Sequence, residues 1–238
     1  MHAAAPDVLT RSAEDYLKAI FRLTAEGRHA STSDIAHLLD LSAPSVSAMI
    51  KRLSDQGLLE HVPYKGVQLT GEGRRVALRV VRRHRLIETY LVGCLNYTWD
   101  TVHDEAERLE HAASDTLVER MAAVLGHPAV DPHGDPIPTA DGAIAEPAET
   151  PLSAVEVGHT VSVGRVAEGE PERLRYIASV GLRPGVVVTV VTRQPFQGPI
   201  TVHADGGDHV IGHDLAQTIY CVRAHPSRGA DANREAGR

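Results

Sequence analysis

The stretch TSDIAHLLDLSAPSVSAMIKRLSDQGLL, from Thr32 to Leu59, leaves the chain few ways to fold. Thr32 or Ser33 caps a short helix that runs to Leu39, and Leu41–Ser42 makes a turn. Pro44 then opens a second helix in its first turn, where the missing N–H costs nothing. That helix runs to about Gln56 and stops at Gly57. Upstream, residues 12–26 carry Tyr16, Leu17, Ile20, Phe21 and Leu23 at helical spacing behind a Ser12 cap. Downstream, LLEHVPYKGVQL (Leu58 to Leu69) predicts two short strands around a Lys65–Gly66 turn. Helix, helix, turn, helix and hairpin is the winged helix-turn-helix arrangement.

Such a module points to double-stranded DNA. Pro44, Ser45, Val46, Ser47 and Ala48 begin the presumed recognition helix, where small hydroxyl side chains approach base edges and thymine methyls closely. Lys51 and Arg52 follow one turn later and suit phosphates, as does Lys65 at the hairpin tip. Ser31, Thr32 and Ser33 stand at a helix N-terminus, whose open N–H groups favour phosphate. The same Ser, Thr and Pro residues are also ordinary helix caps. A net charge of −7 seems to argue against a nucleic-acid partner, but the charge is uneven. Residues 1–83 hold 12 Lys/Arg against 9 Asp/Glu, residues 100–150 hold 2 against 12, and residues 151–238 hold 9 of each. The acidity sits in one middle block beside a mildly basic reading head.

The remaining chain is mostly helix and then strand. Val76, Ala77, Val80, Val81, Ile87 and Leu91 predict a long helix from Thr70 to about Gly93, followed by helices at 99–112 and 114–126, the latter capped by Ser114. Proline and glycine crowd residues 127–151. Beyond Leu152, β-branched runs at 160–166, 186–192, 200–204, 209–211 and 218–222, with one helix near 171–180, predict a small SH3-like β-barrel. With 238 residues the chain exceeds one typical domain of ~150. The expected division is a winged helix-turn-helix domain at 1–73, a helical domain at 74–142, a Pro-rich linker at 143–152, the SH3-like domain at 153–225 and a flexible tail at 226–238. The fold class is mostly α with a small β domain. Cys94 and Cys221 are too few for a disulfide scaffold or a thiolate zinc site. No apolar stretch approaches ~18 residues and the start lacks a signal-peptide core, so no membrane partner and a cytoplasmic location are expected.

One segment carries chemistry. In HDEAERLEH, helical geometry sets His103, Glu107, Glu110 and His111 at about 0°, 40°, −20° and 80° on one face. In RRHRLIETYL, His84 and Glu88 share a face at i, i+4. Histidine and carboxylate donors without thiolate suit a harder divalent first-row metal. A single His–Glu pair is more often a solvated face; six such residues on neighbouring helices, interleaved with apolar positions, weaken that reading. A catalytic reading needs an open coordination position. The ExxEH order matches neither HExxH nor HxxEH, and the chain is expected to be no enzyme and to have no small-molecule substrate.

These residues resemble a family. EDYLKAIFRL, SDIAHLL, PSVSAMIKRL, RRHRLIE, VHDEAERLEH and HPAVDPHGDPIP match the metal-dependent transcriptional repressors of the diphtheria-toxin-repressor type. EPERLRYIASVGLRPG is similar to the SH3-like (FeoA-type) domain of their longer members, and the likeness spans roughly residues 7–223. The resemblance implies a homodimer, joined through the helical domain, that binds a palindromic operator when Mn(II) or Fe(II) fills two sites per subunit. It implies a primary site of Asp15, Glu107, Glu110 and His111. It implies an ancillary site of His84, Glu88 and His103 completed by Glu170, with Glu172 as the fallback, while Arg173 cannot ligate. The iron-responsive branch places methionine and cysteine where this chain has Asp15 and Glu107, and the exchange of sulfur for carboxylate points to Mn(II). The short manganese regulators carry a glutamate where this chain has Lys18, which argues against a closely coupled two-manganese cluster. Competing classes are an iron-activated repressor of the same fold, an organic-ligand-responsive winged-helix regulator and a metallohydrolase.

Overall fold

The computed structural model describes residues 9–24, 27–62 and 64–224. The tail expected at 226–238, the end of the first helix at 25–26 and residues 1–8 lie outside the described residues. Two compact units divide the chain: 1–96 with 103–129 and 136–145, and 97–102 with 130–135 and 146–238. Residues 97–102 and 130–135 thus group with the C-terminal unit, although they lie in sequence within the expected helical domain.

In the first unit, α1 (Arg11–Leu23) is capped by Thr10, whose hydroxyl accepts from Ala13 N, rather than by Ser12. α2 (Thr32–Leu39) starts after Ser31, not after Thr32 or Ser33. Ser31 and Asp34 form a reciprocal capping box that settles the choice among three consecutive hydroxyl residues. α3 (Ala43–Asp55) carries Pro44 in its first turn behind the Ser42 cap. The hairpin of β1 (Leu59–Val62) and β2 (Gly66–Leu69) pairs Leu59 with Leu69 and Val62 with Gly66. Gly66 has φ +119°, and a Cβ there would collide with the Ala30 carbonyl oxygen, so only glycine fits. Leu17, Ile20, Ile35, Val46, Leu53 and Val67 close the core beneath these elements and leave one face of α3 in water. α4 (Gly71–Leu95) begins at the Thr70 cap and is the long helix expected. α5 (Val102–Leu109) is shorter than expected, and α6 (Asp115–Val124) begins at the Ser114 cap. Leu86, Val118, Ala122 and Ile137 pack together around α4 and α6.

The second unit is an antiparallel six-stranded sheet of order β3-β8-β4-β5-β6-β7. Its strands are β3 (Thr150–Pro151), β4 (Thr160–Val166), β5 (Val187–Arg193), β6 (Ile200–Ala204), β7 (Gly207–Ile211) and β8 (Ile219–Arg223). Register shifts at Val163/Arg165 and Val190/Thr192 bend the sheet in the way a small barrel needs. α7 (Pro171–Ser179) lies between β4 and β5, and a short α8 (His213–Gln217) lies between β7 and β8. Val163, Val190, Ile200, Val202, Ile211 and Ile219 form an almost wholly aliphatic core, joined by Trp99. His133, within the stretch crowded by proline and glycine, is fully buried in this unit; its ring stacks on Trp99 and Nε2 donates to the Trp99 carbonyl at 2.7 Å.

Candidate metal centre

α4 presents His84 and Glu88 on its buried side, one turn apart. α5 presents His103 and Glu107, and the turn after Leu109 presents Glu110 and His111. The helix expected to run through His111 ends before it, yet Glu110 N still bonds to Ala106 O at 2.9 Å, so the helical spacing carries one residue further. α1 faces the same space with Glu14, Asp15 and Lys18.

Two donor groups result, joined at Glu110. On one side, Asp15, Glu110 and His111 offer ligand atoms all within 4.8 Å of one another. His111 Nε2 lies 2.7 Å from Asp15 Oδ1 and 3.3 Å from Glu110 Oε1. The other ring nitrogen, Nδ1, donates to Glu14 Oε2 at 2.7 Å, which turns Nε2 toward the two carboxylates. Glu14 in turn reaches Arg83 of α4 at 3.4 Å, and Arg83 pairs with Asp115 at the start of α6 at 2.9 Å. On the other side, His84 Nε2 lies 3.0 Å from Glu88 Oε1 and 3.1 Å from His103 Nδ1, while its Nδ1 lies 2.5 Å from Glu110 Oε2. His103 Nδ1 lies 3.3 Å from Glu88 Oε1.

The charges are held against strong desolvation. Burial works against a charged His84 ring, but hydrogen bonds to Glu110 and Glu88 outweigh it and push the pKa up to about 9. Burial raises the Asp15 carboxyl above the usual range; His111 opposes that shift and Glu107 and Glu110 reinforce it. Burial also opposes ionisation of Glu107, yet the Lys18 ammonium 2.7 Å away carries it down to about 2.

This donor set fits a divalent cation. Glu110 is fully buried, and the buried His111 Nε2 has no well-aligned hydrogen bond despite the nearby Asp15 oxygen. Carboxylate oxygens with imidazole nitrogens, gathered at this depth, are what Mn(II) or Fe(II) takes.

Of the expected ligands, Asp15, Glu110 and His111 come together, as do His84, Glu88 and His103. Glu107 comes together with His84 and Glu110, their ligand atoms within 4.8 Å of one another, while it accepts from Lys18 and lies 3.6 Å from His103 Nε2. Glu170 and Glu172 belong to the second unit: Glu170 immediately precedes α7, is exposed and lies 3.4 Å from Arg173 Nε, and Glu172 is exposed in the first turn. Sequence reasoning missed Glu14, whose only signal is its place beside Asp15. On the helix-turn-helix module, Pro44, Ser45, Ser47, Lys51 and Arg52 are exposed along α3, and Lys65 is exposed in the hairpin turn. Ser33 is exposed at the start of α2, with Ser31 and Thr32 half-buried beside it. Ser31 and Ser47 also serve locally: the Ser31 hydroxyl bonds Asp34 and the Ser47 hydroxyl donates to Ala43 O at 2.9 Å.

Family models match three consecutive stretches. Residues 8–67 match the iron dependent repressor N-terminal DNA binding domain, residues 70–139 its metal binding and dimerisation domain, and residues 150–223 the FeoA domain. The iron-dependent repressor IdeR of Mycobacterium tuberculosis is 31% identical over 224 residues, covering 89% of this chain and 96% of the relative. The diphtheria toxin repressor of Corynebacterium diphtheriae is 32% identical over 221 residues, covering 89% and 96%. A solved manganese-dependent transcriptional repressor in complex with manganese superposes with a TM-score of 0.82 at 45% identity, covering 89% of this chain and 100% of that one. The manganese regulator SloR superposes at 0.74 with 34% identity, covering 91% and 100%. A DNA-reading helix-turn-helix, a His/carboxylate cluster and a FeoA-type sheet together define a metal-dependent transcriptional repressor. The chain belongs to the diphtheria-toxin-repressor family.

Proposed function

We propose that the protein is a Mn(II)-activated repressor that binds a palindromic operator as a homodimer in the cytoplasm and controls genes of metal uptake. The observation that carries the metal choice is the all-oxygen-and-nitrogen donor set of Asp15, Glu110 and His111, with Glu107 grouped beside it with Glu110 and His84. A soft sulfur ligand would favour iron and other later metals; carboxylates at Asp15 and Glu107 favour the harder ion. The manganese named for the structural relative supports the same choice, and the iron named for the IdeR relative sustains Fe(II) as the second reading. No described helix is long and apolar enough to cross a membrane.

Asp15, Glu107, Glu110 and His111 would hold the primary ion, and His84, Glu88 and His103 the ancillary one, two per subunit. Bound there, a divalent cation supplies the positive charge that neutralises the clustered carboxylates. The chain does the rest. Asp15 sits on α1, whereas Glu110 and His111 follow α5, so any pull that draws these donors together also draws α1 onto the α5 turn. α1 packs against α2 and α4, so its position bears on where α3 stands. A two-fold operator demands a spacing of ~34 Å between recognition helices, and an ordered α1 removes the entropic cost of reaching it. Exchanging Asp15→Met together with Glu107→Cys is expected to shift activation of operator binding from Mn(II) toward Fe(II), measured anaerobically by fluorescence anisotropy. A wild type that answers better to Fe(II) overturns the manganese assignment.

A further inference from the structure

Lys18 is a buried cation at the junction of the two donor groups. Only 5% of the residue is exposed. Its Nζ donates to Glu107 Oε1 at 2.7 Å and to both oxygens of Glu110, at 3.0 and 2.8 Å, and lies 3.1 Å from His84 Nδ1. Burying an ammonium is costly, and the carboxylates of Glu107 and Glu110 offset it. Those carboxylates are the ones a metal would need. Glu110 Oε1 faces His111 and Asp15, and Glu110 Oε2 faces His84, so Lys18 holds the oxygens through which the two groups connect.

Resting on the metal reading above, we propose that Lys18 is a tethered monovalent cation that keeps the two metal sites separate and sets the metal concentration at which they fill. Its charge repels a divalent ion on either side at a range where little solvent screens it. Its hydrogen bonds occupy the oxygens that a carboxylate-bridged pair of ions would share. Lys18 occupies Glu107 Oε1, so Glu107 can ligate through that oxygen only by leaving Lys18. The cluster therefore fills as two independent mononuclear sites, at a higher metal concentration than the carboxylate count alone would give.

The test measures Mn(II) binding to the full chain by competition with a fluorescent chelator, together with Mn(II) EPR and thermal melts. Lys18→Met keeps the bulk and removes the charge, Lys18→Arg keeps the charge, and Lys18→Glu inverts it. Wild type is expected to bind two Mn(II) per subunit with an uncoupled EPR spectrum. Lys18→Met tightens binding about tenfold, the equivalent of about 1.4 kcal/mol, and Lys18→Arg stays near wild type. Lys18→Glu gives an exchange-coupled pair. If Lys18→Met lowers the melting temperature, Mn(II) restores it beyond the shift it gives wild type. A purely structural ion pair predicts the reverse: weaker or unchanged Mn(II) affinity in Lys18→Met and a melting loss that Mn(II) does not repair. Either result overturns the proposal, as does an exchange-coupled spectrum from wild type. A wild type that binds no Mn(II) removes the metal reading itself.

Discussion

The C-terminal sheet unit and the helical unit both bury side chains completely, but the helical unit buries a charged cluster beside its apolar cores. In the sheet unit the fully buried positions other than His133 are aliphatic, Val190, Ile200, Val202, Ile211 and Ile219 among them. Each gains about 25 cal/mol per Å² of apolar surface removed from water, and none needs a partner of opposite charge. In the helical unit the fully buried positions include Glu88 and Glu110, with His84 and Lys18 almost as deep. These lose hydration on burial and recover it only through one another. A sheet built from β-branched residues stands by itself, whereas a core built from carboxylates, imidazole and ammonium depends on the cations within reach. An ion that bound the folded chain at such a cluster would shift the free energy of folding, as any ligand of the native state does.

Breaking one partner in each core sharpens the contrast. Glu110→Ala leaves Lys18 and His84 short of their shared anion and is expected to cost about 3–5 kcal/mol, with the Mn(II)-induced rise in melting temperature lost. Calorimetry with Mn(II) and with chelator checks both effects. Ile200→Ala in the sheet is expected to cost about 2–5 kcal/mol, the same with and without Mn(II). A loss that depends on metal would erase the distinction between the two interiors. Glu14→Gln removes the carboxylate that orients His111 while leaving the apolar cores untouched, and is expected to weaken Mn(II) binding by about 10–100-fold. Isothermal titration reads that directly. The smallest effect belongs to the exposed DNA-reading face: Lys51→Ala weakens operator and random DNA alike and flattens the salt slope by roughly one unit, seen in anisotropy across a salt series.

How far the amino-acid sequence reached follows the same division. Apolar periodicity located α1, α3, α4 and β4 because each element buries one repeating face, and Pro44 with Ser42 marked the start of α3 within a residue. Caps were harder. Ser31, Thr32 and Ser33 are interchangeable as hydroxyls, and only the reciprocal bond with Asp34 selects Ser31. β3 spans two residues and α8 barely more than a turn, too short for any period to show. The pairs His84–Glu88 and His103–Glu107 were legible because i, i+4 spacing is local. Glu14 was not legible as a member of the cluster and Lys18 was marked only through the family resemblance, since α1 meets the α5 turn only in three dimensions. Trp99 and His133 likewise stack across 34 residues of chain, which no local pattern foretells.

The central claim is that the carboxylate cluster makes DNA binding conditional on a divalent ion. An anaerobic operator-binding titration with Mn(II) and with Fe(II), on wild type and Asp15→Ala, tests it most directly. The account predicts tight binding by wild type only with metal, half-saturation at lower Mn(II) than Fe(II), and no metal response in Asp15→Ala. Undiminished metal dependence in Asp15→Ala, or operator binding by wild type that ignores metal, would contradict it.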